Sequence, residues 1–127
     1  MYRLYCSKCN EEIDPLEPVW RCHCKGILDI EINLDKIKVN KRTFEKRVHS
    51  MWRYLELLPI VDKSYIVTLG EGWTPLITDK KNKRVYLKLD YLNPTGSFKD
   101  RGASVLISHV KYIGINNVVE DSSGNAG

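Results

Sequence analysis

The sequence predicts an α/β protein: a small cysteine-stapled module, then a strand–helix–strand unit holding part of a parallel sheet. Three observations carry that prediction. All four cysteines, Cys6, Cys9, Cys22 and Cys24, lie near the N-terminus. Hydrophobic spacing alternates through Val85-Tyr86-Leu87-Lys88-Leu89 and turns helical after Ser97. A further β-prone run, Asn117-Val118-Val119-Glu120-Asp121, follows that helix, and strands joined by a helix pair in parallel.

Residues 1–30 form the first expected unit. They carry two prolines and β-prone pieces at Val19-Trp20-Arg21 and Ile27-Leu28-Asp29-Ile30, a span too short to bury an adequate core unaided. Cys6-Ser7-Lys8-Cys9 and Cys22-His23-Cys24 make two knuckles, and four thiolates close a tetrahedral zinc site. The second knuckle is tighter than the usual spacing, which leaves His23 as an alternative ligand. Disulfides are the competing reading, disfavoured because Met1-Tyr2-Arg3-Leu4-Tyr5-Cys6 lacks the apolar run of a secretory signal. Paired free thiols are a third. Structural zinc is the expectation.

Residues 31–60 read as a linker with a short helix at Met51–Pro59, ended by proline. Residues 61–127 hold the β-α-β unit. Leu76-Ile77-Thr78 and Val85–Leu89 read as a hairpin joined by the basic turn Lys80-Lys81-Asn82-Lys83-Arg84. Ser97, with Asp100 three residues on, reads as the N-cap of a helix of about 15 residues whose apolar face is Ala103, Val105, Leu106, His109, Val110 and Tyr112, stopped by Gly114.

Composition excludes several classes. At 43% hydrophobic and 28% charged residues, the chain is globular in character rather than disordered. No apolar run is long enough to span a bilayer. The net charge of +4 is dispersed among acidic residues, with no aromatic interleaving, so neither nucleic acid nor membrane is an expected partner. A cytoplasmic location is the default expectation.

On position alone, Lys99 is an ordinary surface lysine at a helix start. The whole segment Asn93-Pro94-Thr95-Gly96-Ser97-Phe98-Lys99-Asp100-Arg101-Gly102 lifts it, because it resembles the cofactor-lysine motif of the tryptophan-synthase-β-like (fold type II) pyridoxal-phosphate enzymes, threonine synthases above all. Met51-Trp52-Arg53-Tyr54 with Leu57-Leu58-Pro59, then Leu69-Gly70-Glu71-Gly72 with Thr74-Pro75-Leu76, agree with that family in order and spacing; Trp73 stands where a glycine is usual. Ser122-Ser123-Gly124-Asn125 resembles the family's asparagine loop.

The resemblance implies pyridoxal phosphate held as a Schiff base on Lys99, next to Phe98, with Asn125 on the cofactor's ring hydroxyl. It implies a substrate carboxylate cradled by Ser122, Ser123, Gly124, Asn125 and Ala126, with Ser123 able to move a proton and Lys99 the principal acid/base. A Schiff-base lysine must spend time as the neutral amine, which the positive end of a helix and Arg101 favour. The implied reaction takes O-phospho-L-homoserine and water to L-threonine and phosphate. Related alternatives are cysteate synthase or a serine/threonine dehydratase, and the non-enzymatic alternative is a zinc-ribbon interaction module. The family's phosphate-binding glycine loop lies beyond position 127, so the expectation is a fragment of low activity that holds the cofactor weakly and self-associates through its open sheet edge, as a homo-oligomer or aggregate.

Overall fold

The computed structural model describes residues 2–60 and 62–126. The first sheet has three antiparallel strands, β1 (Tyr2–Cys6), β2 (Glu12–Ile13) and β3 (Leu28–Ile32), in the order β2-β1-β3. Tyr2 faces Ile32 and Cys6 faces Leu28 in register, so β1 delivers the first cysteine to the end of the sheet. Cys6 is fully buried there. Neither β1 nor β2 was expected from sequence, and Val19–Arg21 forms no strand.

A 3-10 turn at Leu34–Lys36 leads to α1 (Lys41–Glu45), held at its start by a reciprocal capping box between Asn40 and Thr43. The expected short helix is a 3-10 segment, Met51–Leu57, kinked at Tyr54 and released just before Pro59. Its first residues, Met51, Trp52 and Arg53, are buried. A 3-10 turn at Lys63–Tyr65 follows.

The expected hairpin is present: β4 (Leu76–Thr78) pairs antiparallel with β5 (Tyr86–Lys88) across the basic turn. A 3-10 turn at Asp90–Leu92 then precedes α2 (Asp100–Tyr112). Gly114, at φ +77°, ends that helix as expected.

Two expectations are corrected. Both sheets are antiparallel, and residues 117–121 form no strand among the described residues. A strand exists by its ladder, and no neighbour is placed to pair with this run; Val119 stands 98% exposed. The face that α2 buries is polar: Asp100, Ser104 and Ser108. Leu106 lies on the exposed side. The helix packs on loop backbone around Val67, where hydroxyl groups satisfy amides that apolar side chains would strand. Ser108 Oγ accepts from the Val67 amide at 2.9 Å and donates to the Ser104 carbonyl at 2.6 Å.

Candidate active site and thiol cluster

The loop ahead of α2 is fixed by its own polar side chains. Asn93, almost fully buried, donates to the Asp90 carbonyl at 2.8 Å and accepts from the Gly72 amide at 2.9 Å. The extended backbone of Asn93, which the following proline requires, gives way to a turn in which the Gly96 amide donates to the Asn93 carbonyl at 2.8 Å. Gly96 sits at φ +80°, a left-handed conformation that explains glycine at this position. Gly102 has no such need, since a Cβ there would meet nothing within 4 Å.

Ser97, buried, accepts from the Lys99 amide through its hydroxyl at 3.2 Å. Lys99 is itself the N-cap residue of α2, so Ser97 stands two residues ahead of the cap position the spacing gave it. The Asp100 carboxylate turns back to accept from the Thr95 amide at 2.9 Å and from the Thr95 hydroxyl. Arg101 reaches Asp90 with two nitrogens, at 3.1 and 3.0 Å, and Thr74 donates to the same carboxylate at 2.5 Å. The guanidinium and the Thr74 hydroxyl lower the Asp90 pKa to about 2 against the cost of burial. Arg101 is therefore engaged by Asp90 rather than free beside Lys99.

Among the described residues, the side chain of Lys99 alone of these polar groups makes no hydrogen bond or ion pair. It lines a cavity of about 520 Å³, a volume suited to a small cofactor. Lys99, Thr95 and Ala103 meet Val67–Leu69 and Gly124–Ala126 around it. The structure thus brings Lys99 and Asn125 to one cavity, with Gly124 and Ala126. Phe98, Ser122 and Ser123 are not in its lining. Phe98 is 62% exposed. Ser122 spends its hydroxyl on Gly124, exchanging hydrogen bonds with that residue's amide and carbonyl at 3.1 Å each.

Below the Thr68–Leu69 wall lies Glu71, with no solvent exposure. Its carboxylate accepts from Trp52 Nε1 at 2.6 Å, the Thr68 hydroxyl at 2.9 Å and the Leu69 amide at 2.8 Å. Burial opposes this charge, yet the Ser104 hydroxyl beside it, the main-chain N–H groups and Thr68 keep its pKa below the ordinary value. Sequence reasoning used Glu71 only as part of a motif. The signal it missed was a lone acid between two glycines, following a threonine, in an otherwise uncharged stretch.

The four sulfurs of Cys6, Cys9, Cys22 and Cys24 lie within 4.8 Å of one another. Cys6–Cys24, Cys9–Cys22 and Cys9–Cys24 are 3.4, 3.6 and 3.4 Å apart, and none is a disulfide. A zinc–sulfur tetrahedron with bonds of about 2.3 Å has edges of about 3.8 Å, so this donor set fits a zinc ion. Burial works against a Cys6 thiolate, but main-chain N–H groups of Cys9 and Lys8 and the neighbouring thiols lower its pKa to about 6. Both knuckles close on a left-handed residue, Asn10 at φ +60° and Lys25 at φ +64°. Gly26 must be glycine, because a Cβ would lie 2.3 Å from Cys6 Sγ. His23 stands at the edge of the thiol cluster, its Nδ1 2.8 Å from Glu11 and 3.7 Å from Cys22 Sγ.

The family described as pyridoxal-phosphate dependent enzyme matches residues 67–127, the stretch that builds the Lys99 cavity. Over most of its length the chain is also similar to curated threonine synthases. It is 40% identical to that of Methanocaldococcus jannaschii over 94% of this chain, and 36% identical to that of Methanosarcina acetivorans over 98%. It is 47% identical to the Synechocystis threonine synthase over 57% of the chain and 21% of that relative. Residues 67–127 thus carry the likeness to pyridoxal-phosphate dependent enzymes. The chain spans about a third of the first two relatives, 32% of each.

Trp73 has a structural account. It adopts φ +54°, between Gly72 at +90° and Thr74, which is why glycine suits the position. The indole is held there by a parallel stack on His49, with centroids 4.2 Å apart, and by the Arg53 guanidinium 4.1 Å from its centroid. Arg53 is buried, and its Nε and Nη1 have no hydrogen-bond partner among the described residues; the indole face stands in for one.

Proposed function

We propose that this chain supplies the cofactor-lysine portion of a threonine synthase-like lyase, whose whole-protein reaction takes O-phospho-L-homoserine and water to L-threonine and phosphate. One observation carries the reading: Lys99, with an unengaged side chain, lines the same cavity as Asn125, within the family-matched stretch. Lys99 would hold pyridoxal phosphate covalently through Nζ. When bound, that cofactor withdraws electrons from the substrate carbon, so that a proton can be lost there.

The remaining chemistry belongs to this chain's own groups. Lys99 Nζ, an amine at a helix start, would take and return the proton at the substrate carbon. Asn125 would hydrogen-bond the cofactor's ring hydroxyl, and the main-chain N–H groups of Gly124–Ala126 would hold the substrate carboxylate. Ser122 and Ser123 would complete that cradle, with Ser123 moving a proton, and Phe98 would adjoin the cofactor, though none of the three lines the cavity. The Cys6, Cys9, Cys22 and Cys24 cluster would bind zinc in a structural role, as a closed four-thiolate site offers no open position for substrate. Residues 1–30, 31–60 and 61–127 would act as metal module, connector and cofactor-binding portion.

The test is a titration of the purified chain with excess pyridoxal phosphate, followed by visible absorbance. The parent chain should develop a cofactor band that Lys99→Ala lacks while keeping its far-ultraviolet dichroism. An equal band in Lys99→Ala overturns the assignment.

A further inference from the structure

Glu71 is a fully buried carboxylate whose hydrogen-bond donors are all neutral: an indole, a hydroxyl and an amide. Burying an anion without a cation is expensive, and a neutral side chain would avoid it. What a carboxylate uniquely offers is two acceptor oxygens and no donor, so it can satisfy all three neighbours together.

Two of those donors, Thr68 and Leu69, line the Lys99 cavity. The third, Trp52, belongs to the buried start of the Met51–Leu57 segment. The Glu71 main chain repeats the link, its carbonyl accepting from the Met51 amide at 2.8 Å. Thr68 passes the restraint on, since its hydroxyl also accepts from the Gly70 amide at 2.9 Å. The Thr68–Leu69 part of the cavity wall therefore hangs from a side chain outside the lining, while Ser108 holds the adjoining Val67.

We propose that Glu71 is a positioning residue, its carboxylate fixing the Thr68–Leu69 wall against the Trp52 segment and so setting the seat of a ring-sized ligand beside Lys99. This deepens the cofactor-lysine reading and rests on it. Glu71→Gln turns an NH2 toward a donor and breaks at least one of the three bonds. Thr68→Val removes one hydroxyl and leaves the carboxylate in place, so it serves if Glu71→Gln does not fold.

The experiment has two readouts on the full chain. Amide hydrogen exchange follows Leu69. Borohydride reduction with excess pyridoxal phosphate, followed by peptide mapping, gives the label on Lys99 relative to Lys111 at the far end of the same helix. Glu71→Gln should speed exchange at Leu69 by about tenfold or more, as expected when a hydrogen bond to a charged acceptor is lost. The preference for Lys99 over Lys111 should fall by a similar factor, and Thr68→Val should do both to a lesser degree. The proposal is overturned if the parent prefers Lys99 and the folded variants keep that preference, even with faster exchange, because Glu71 is then merely structural. A parent that labels Lys99 no more than Lys111 overturns the cofactor-lysine reading instead.

Discussion

Arg101 closes a two-point ion pair on Asp90, its Nε 3.1 Å from one carboxylate oxygen and Nη2 3.0 Å from the other. The pair ties the first turn of α2, just past Lys99, to the turn that follows β5. A bidentate fork fixes direction as well as distance, which a lysine cannot do. Arg101→Lys should therefore keep the charge yet loosen the start of α2. The expected loss is about 1 kcal/mol, since both side chains are partly exposed. Urea melts check the stability, and amide exchange at residues 99–102 checks the location.

The same pair predicts an acid dependence. Asp90 has its pKa lowered from 3.8 to about 2, and Glu56, held by Arg47, from 4.5 to about 2. A carboxylate with a depressed folded-state pKa contributes fully above its unfolded value, and the contribution is lost as pH falls through the folded one. Stability should hold down to about pH 4.5 and decline toward pH 2. Asp90→Asn should flatten part of that slope in thermal melts taken across the range, and added salt should flatten it further.

Much of this arrangement was legible in the residues, and the parts that were not have physical reasons. The β4–β5 hairpin and the α2 helix follow from local periodicity and a basic turn, so both were readable. β1 and β2 were missed because β2 is only two residues and β1 is defined by its ladders to β2 and β3, which only the fold brings beside it. The buried face of α2 was misassigned because apolar residues normally face inward, whereas here Ser104 and Ser108 face a loop rich in backbone donors. Glu71 was invisible as a wall support since its three partners are brought together only by the fold. The decapeptide singled out Lys99 as a candidate, but not that the neighbouring polar side chains occupy one another and leave its amine unengaged.

Gly72 and Trp73 separate two kinds of positive φ. A Cβ on Gly72 would lie 2.5 Å from the Met51 amide nitrogen, which is backbone and cannot move aside. Gly72→Ala should cost more than about 2 kcal/mol and lower the melting temperature by several degrees. Trp73→Gly relieves a left-handed strain of about 1–2 kcal/mol but removes the His49 and Arg53 stack, worth about 1–2 kcal/mol. Its net change should stay within about 1 kcal/mol, as calorimetry of the two variants will show.

Zinc should associate with the thiol cluster in equimolar amount. Chelation, or Cys6→Ser, should abolish amide protection in β1 and β3 while leaving α2 protected, because the sulfurs gather only the ends of the first sheet. Metal analysis with hydrogen exchange checks both halves. Loss of α2 protection on chelation would show that the metal supports more than its own module.

The most direct test of the central claim is the site of covalent capture. With pyridoxal phosphate in excess, borohydride reduction and peptide mapping should place the modification on Lys99 well ahead of the exposed basic turn at Lys80, Lys81 and Lys83. Modification spread evenly over those lysines, with Lys99 no more reactive than the rest, would contradict the account.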